Sequence, residues 1–327
     1  MGDFSNNSKK VTVFGGTGFL GRYIVQRLAR QGWMINVVTR NPSEALFLKT
    51  AGYIGQINLV QGDFINFENL KSILKDSNVL INCVGILNES ANQKFKFLHS
   101  DAPAKLAHYA TELGIDKFIN ISSIGADESS NSEYAKTKGL GEIRIRQAFP
   151  DAIILRSSVI FGAEDKFFNL FSSIATLSPV IPVVGGKTLF QPVYVDDIAF
   201  AIEKILMDPK LTHKNGVTYE LGGPEVFCFR DLMQKMLSTI KRRRFILEIP
   251  FWIANIMCPL VYVANKLSIN TIPLLITMDQ IKQLKKNNIV SEKELGFGDL
   301  EIFPRVIDAI LPTYLNRYRP KGQFCDL

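Results

Sequence analysis

The stretch Lys10-Val11-Thr12-Val13-Phe14-Gly15-Gly16-Thr17-Gly18-Phe19-Leu20-Gly21 constrains this chain more than any other. β-Branched and aromatic residues stop abruptly at glycines. Leu20, Ile24, Val25 and Leu28 then recur at helical spacing, so the stretch reads as strand, tight turn and helix start. Residues without a Cβ let the backbone approach a bulky anion, and the N–H groups and dipole of a helix N-terminus favour a diphosphate. The glycines fit two registers: Gly16, Gly18 and Gly21 as G-x-G-x-x-G, or Gly15, Gly18 and Gly21 as G-x-x-G-x-x-G. The strand before and the helix after are both legible, as such a motif requires. The reading is a dinucleotide cradle built from Gly15, Gly16, Thr17, Gly18, Phe19, Leu20 and Gly21. A glycine-rich turn with no ligand is the plainer alternative.

The following segments repeat the same unit. Trp33 to Thr39 predicts a second strand, ending in Thr39-Arg40 where an NAD-binding unit usually carries an acid for the ribose hydroxyls. The Arg40 guanidinium suits a 2′-phosphate instead. The sequence therefore favours NADP(H) over NAD(H), unless Arg40 merely faces solvent. Ile57 to Gln61 predicts a third strand. Asp63 beyond it could accept a hydrogen bond from an adenine amino group, or cap a helix over Phe67 to Leu74. Val79 to Gly85 is a continuous apolar strand suited to the middle of a parallel sheet, and Gly85 would let a cofactor pass close to the backbone. Ala102 to Leu113 predicts a helix closed by Gly114. Lys117 to Ile121 predicts the fifth strand, ending in Ser122-Ser123.

Tyr134 and Lys138 follow, four apart on one helical face. An ammonium there can lower the phenol's pKa and bind a ribose hydroxyl. Ser123 can orient a substrate oxygen, and Tyr134 can act as general acid or base. The fold class expected is α/β: a Rossmann-type, doubly wound parallel sheet with a smaller C-terminal α/β lobe.

Composition narrows the function. The 327 residues, 46% apolar, suit one large or two smaller domains, and the net charge of +7 is moderate. No regular interleaving of basic and aromatic residues suggests a nucleic-acid partner. Cys83, Cys228, Cys258 and Cys325 form no C-x-x-C pair, so neither a metal site nor a disulfide framework is expected, and a reducing, intracellular setting fits. Met1 to Lys10 lacks the apolar core of a secretion signal and the arginines of a transit peptide.

Past Val180 the βα alternation loosens. Residues 1–160 are expected to form the nucleotide-binding domain, its sheet completed by parts of 190–225, and 161–327 a smaller substrate or partner lobe. Asp196 and Asp197 open a predicted helix reaching Leu206, one of them as its N-cap. Tyr219 to Gly222 predicts a strand and Phe229 to Ile240 a helix. Lys241-Arg242-Arg243-Arg244 precedes an apolar segment, 245–264, whose one charge is Glu248. Pro250 and Pro259 interrupt it, so a membrane span is disfavoured. A helix docked on the lobe or an interfacial helix both fit, the latter because basic residues attract anionic headgroups. Phe303 to Tyr314 predicts a short helix ending near Pro312, with an extended tail beyond.

Together these residues resemble the short-chain dehydrogenase/reductase superfamily, in its extended or atypical branch. The resemblance spans nearly the whole chain: the glycine loop, Asp63, Ser122-Ser123, Tyr134 with Lys138, then Arg156-Ser157-Ser158-Val159-Ile160-Phe161-Gly162, Val193-Tyr194-Val195-Asp196-Asp197 and Tyr219-Glu220-Leu221-Gly222-Gly223-Pro224. Phe149-Pro150-Asp151-Ala152-Ile153-Ile154, Ile160-Phe161-Gly162-Ala163-Glu164-Asp165-Lys166-Phe167 and Phe190-Gln191-Pro192-Val193-Tyr194-Val195 look more closely like the nucleotide-binding accessory subunit of respiratory complex I and its bacterial relatives. That resemblance implies a tightly held NADPH not turned over in electron transfer. It also implies a place on the hydrophilic arm near the membrane and the quinone site, with some relatives serving ubiquinone synthesis. The implied localisation is cytoplasmic or peripheral on the inner face of the cytoplasmic membrane, the matrix side if mitochondrial. The animal subunits lack a serine where Ser123 stands. Ser123, Tyr134 and Lys138 together keep a reductase or nucleotide-sugar epimerase chemically open. Equally, Tyr134 and Lys138 could only clamp a nicotinamide ribose. A regulator that senses NADP(H) is a third reading.

Overall fold

The computed structural model describes residues 9–64, 67–90, 92–208, 211, 216–267 and 276–322. In chain order the first half runs β1 (Lys10–Phe14), α1 (Phe19–Arg30), β2 (Met34–Thr39), β3 (Ile57–Gln61), α2 (Phe67–Leu74), β4 (Val79–Asn82), α3 (Ala102–Glu112), β5 (Lys117–Ser123), α4 (Glu133–Ala148) and β6 (Ile153–Ser157). The second half runs β7 (Ile160–Phe161), α5 (Phe168–Leu177), β8 (Val180–Val184), β9 (Leu189–Phe190), β10 (Val193–Tyr194), α6 (Val195–Met207), β11 (Thr218–Leu221), β12 (Phe227–Cys228), α7 (Phe229–Thr239), β13 (Phe245–Ile249), α8 (Phe251–Leu267), α9 (Met278–Gln283) and α10 (Ile307–Leu315).

Seven strands form one parallel sheet in the order β11-β6-β5-β4-β1-β2-β3. The chain winds one way from β1 to β3 and the other way from β4 to β6. The carboxyl ends of β1 and β4 therefore flank the switch-point crevice, where ligands of open parallel sheets bind. Side chains alternate between two faces. Val11, Val13, Ile81, Ile119, Ile153 and Leu155 meet α1 and α6, whereas Leu80, Phe118 and Ile154 meet α2, α3 and Ile145 of α4. Burial on both faces is why these strands read as apolar runs. Gly114 closes α3 at φ +64°. β11 pairs with β6, so residues 218–221 return from the second half to finish the sheet.

The remaining elements surround a separate apolar core of Phe161, Phe168, Phe190, Phe229, Met236 and Leu311. Three expectations for this half are corrected. Asp196 and Asp197 do not cap α6. Tyr194 is its N-cap, without a side-chain bond, because both carboxylates are drawn to arginines. Arg27 donates to Asp196 at 2.6 and 2.8 Å, and the Arg305 N–H donates to Asp197 at 2.7 Å. Pro312 lies inside α10 rather than ending it. The apolar segment 245–264 is not one helix: 245–249 is a strand paired in parallel with β8, and α8 begins only after Pro250, with Pro259 inside it. Among the described residues no helix is long and apolar enough to cross a membrane.

Candidate nucleotide site

The turn between β1 and α1 is bound tightly to itself. Gly15 adopts φ +75°, which favours glycine, and its carbonyl accepts the Gly18 N–H at 3.0 Å. A Cβ on Gly15 would lie 3.0–3.1 Å from the Cys83–Val84 backbone, so the loop presses directly on the end of β4. A Cβ on Gly21 would collide with the Gly15 carbonyl oxygen and lie 2.6 Å from Gly16 Cα. Gly16 touches Val37 in the same way. Gly15, Gly18 and Gly21 thus do the work of the G-x-x-G-x-x-G register, while Gly16 packs inward. Gly18 is the N-cap of α1, with no capping side chain and no acid in the first turn. That end is an anion cradle by both shape and dipole, and the loop backbone fits a diphosphate.

The other expected residues ring the same strand ends. Arg40 is exposed just past β2. Asp63 is half-buried just past β3, and the residues that would settle a capping role for α2 lie outside the described set. Phe19 stacks edge-on with Tyr23 at 6.2 Å. Gly85 is exposed past β4, and a Cβ there would sit 3.4 Å from Lys138 Nζ and 3.9 Å from His99 Nε2.

Ser122 and Ser123 part company at the end of β5. Ser122 turns inward and donates to buried Glu142, which also takes Arg156 through three contacts of 2.7–3.1 Å. Ser123 faces the Tyr134 phenol. Lys138, 8% exposed, donates to the Ile121 carbonyl at 3.2 Å, and burial pushes its pKa down to about 8. The expectation of an ammonium-lowered phenol is corrected here: burial pushes Tyr134 up, against the opposing Ser123 hydrogen bond.

His99 went unnoticed in the sequence. Its Nε2 accepts the Ile86 N–H at 3.2 Å and its Nδ1 meets Thr137 Oγ1 at 3.2 Å. Burial and the Lys138 ammonium push its pKa down to about 2, so it is neutral and ties the Gly85 loop to α4. Its ring lies against Tyr134 at 5.2 Å and stacks on Phe95 at 5.2 Å. The legible signal was Gly139-Leu140-Gly141 inside a helical pattern, poor for a helix unless backbone must approach. A Cβ on Gly141 would collide with the His99 carbonyl oxygen.

One titration follows. A lysine whose folded pKa is lowered carries a burial penalty that is full below pH 8 and relieved as pH rises toward its unfolded value. Wild type is expected to gain melting temperature relative to Lys138→Met between pH 7.5 and 10. A gap independent of pH would refute a buried ammonium.

Residues 11–222 match the model of the NAD dependent epimerase/dehydratase family. The chain belongs to this family. The epimerase/dehydratase match reaches all seven strands of the sheet, lacking only the first residue of β1. Among curated family relatives, the chain is 35% identical to the mitochondrial NADH dehydrogenase (ubiquinone) 1 alpha subcomplex subunit 9 of Arabidopsis thaliana, over 95% of this chain and 78% of that protein. It is 30% identical to the mitochondrial NADH-ubiquinone oxidoreductase 40 kDa subunit of Neurospora crassa, over 96% of this chain and 80% of that one. The fold is shared with the dTDP-glucose 4,6-dehydratase of Bacillus anthracis solved with NAD. That likeness has TM-score 0.71 at 16% identity, over 95% of this chain and 96% of that one.

Proposed function

We propose that this protein holds NADPH as a firmly bound cofactor and serves as an accessory subunit of a membrane NADH–quinone oxidoreductase, as the names of its relatives suggest. The observation that carries the cofactor reading is the glycine turn packed on the end of β4 beneath an uncapped α1 N-terminus. The loop Gly15–Gly21 would take the diphosphate, Arg40 the 2′-phosphate and Asp63 the adenine. Gly85, Tyr134 and Lys138 would line the nicotinamide ribose. A role in quinone synthesis is a variant of the same reading. Peripheral membrane contact on the cytoplasmic or matrix side is consistent with exposed Trp252, Ile256 and Met257 on α8, downstream of Lys241–Arg244.

The placement of Ser123 at the Tyr134 phenol favours one second reading, an NADP-dependent oxidoreductase or nucleotide-sugar epimerase. When bound, a reduced nicotinamide supplies a hydride. Ser123 would then orient a substrate carbonyl, Tyr134 would release its phenolic proton to that oxygen, and Lys138 would hold the ribose.

Gentle purification, denaturation and mass spectrometry of the released nucleotide test the first reading. NADPH in about 1:1 ratio is expected, and Arg40→Glu should weaken NADPH binding about tenfold or more while sparing NADH. An empty protein with weak, reversible binding would shift the assignment to an enzyme or sensor. Equal loss of both nucleotides in Arg40→Glu would remove the 2′-phosphate role.

A further inference from the structure

We propose that Asp279, supplied by the C-terminal half, is a positioning residue for Tyr134 and links the nucleotide site to the surface helix α8. The link rests on the dinucleotide reading above and adds a regulatory connection to it.

The Asp279 carboxylate covers the N-terminus of α4. It accepts Ser132 Oγ at 2.9 Å, the Glu133 N–H at 2.7 Å and the Tyr134 N–H at 3.2 Å. Ser132, the local N-cap, takes the Ala135 N–H at 3.3 Å. Orphan donors at a helix start are thus met by a residue nearly 150 positions away, and an anion there also suits the helix dipole. Tyr134 sits in the first turn of α4, so the direction of this turn sets where its phenol points. Lys138 follows one turn later.

α9 grips the opposite wall as well. Gln280 Nε2 donates to Asn88 Oδ1 at 3.3 Å, on the loop that carries Gly85. Lys282 Nζ donates to the Asn131 carbonyl at 3.1 Å, just before α4. Thr277 and Gln280 form a reciprocal capping box that fixes α9 itself. One short helix therefore holds both the loop after Gly85 and the start of α4.

Behind α9, Ile281 is fully buried against Val184 and against Ala254 and Cys258 of α8. Cys258 Sγ also reaches the Ile276 carbonyl at 3.4 Å. The far side of α8 shows Trp252, Ile256 and Met257 at 66%, 58% and 47% exposure. A shift of α8 on covering that face is transmitted through Ile281 to Asp279, and from Asp279 to Tyr134. Linkage requires the reverse as well: nucleotide binding steadies α8.

The experiment uses full-length wild type, Asp279→Ala and Asp279→Asn. NADPH is titrated by fluorescence, and amide hydrogen exchange is followed with and without NADPH. Asp279→Ala is expected to weaken NADPH about tenfold and Asp279→Asn, which keeps one acceptor, about threefold. In wild type NADPH should slow exchange both at 15–22 and at 251–258. In the variants the first slowing should persist at saturating NADPH and the second should fade. A merely structural role for Asp279 would raise exchange without separating the two regions. Wild-type affinity in both variants, or undiminished slowing at 251–258, would overturn the link alone. A wild-type protein that binds neither NADPH nor NADH would overturn the dinucleotide reading and the link together. Asp279→Asn preserves the test should Asp279→Ala fail to fold.

Discussion

Gly21→Ala is expected to abolish measurable NADPH binding, raising Kd about 100-fold or more, and to cost about 2–3 kcal/mol of stability. The added methyl has no space to enter. It would strike the Gly15 carbonyl oxygen, and that oxygen is already held by the Gly18 N–H at 3.0 Å. Moving it would pull the turn away from the end of β4 and rotate the first N–H groups of α1 off their common focus. Gly18→Ala makes the control. Its Cβ would meet only that same oxygen, at 3.1 Å, so stability should fall by less than about 1 kcal/mol. Its nucleotide binding should still suffer, because the methyl would occupy space next to the diphosphate. Fluorescence titration and thermal melts of both variants decide the matter. Full NADPH affinity in Gly21→Ala would remove the diphosphate assignment.

Arg156→Met is expected to cost about 3–5 kcal/mol, the usual penalty for stranding a buried charge by deleting its partner. Arg156 joins three elements. It binds Glu142 of α4 and Glu220 of β11, the latter at 3.3 Å, and approaches Glu294 at 3.8 Å. Glu142 and Glu220 are each 6% exposed, so neither carboxylate can turn to water once the guanidinium is gone. Burial works against the charge of Arg156, but the hydrogen bonds it donates to Glu142 and Glu220 overcome it and hold the pKa above its ordinary value. At this chain length the loss corresponds to a fall of about 4–7 °C in melting temperature. A fall under about 2 °C would show that the network is dispensable. The site should suffer too, because Glu142 also receives Ser122, the neighbour of Ser123.

Much of this architecture was written in local sequence. The parallel sheet was legible because strands covered on both faces are largely apolar, as in Val79, Leu80 and Ile81, and because glycines follow β1, β3 and β4. The glycine turn between β1 and α1 was legible because its residues sit within one contiguous stretch. The strand end with Ser123 and the helix with Tyr134 and Lys138 were legible for a similar reason, since each is a local feature. The apolar segment 245–264 misled, because alternation in a short edge strand and the pitch of a helix look alike over few residues. Pro250 in fact divides the two elements.

The sequence by itself determined the winding of the chain, the glycine turn between β1 and α1, and the strand end and helix that carry Ser123, Tyr134 and Lys138, since each depends on neighbours a few positions apart. Only the tertiary structure decided the roles that depend on distant partners. It turned Ser122 inward to Glu142 and left Ser123 facing Tyr134, although the two serines are adjacent. It gave Asp196 to Arg27, 169 positions away, instead of to a helix cap. It placed His99 and Asp279 against the helix of Tyr134. Burial then set the charges: a polar side chain that loses water bonds whatever donor or acceptor the packed chain brings within reach, and sequence distance has no part in that choice.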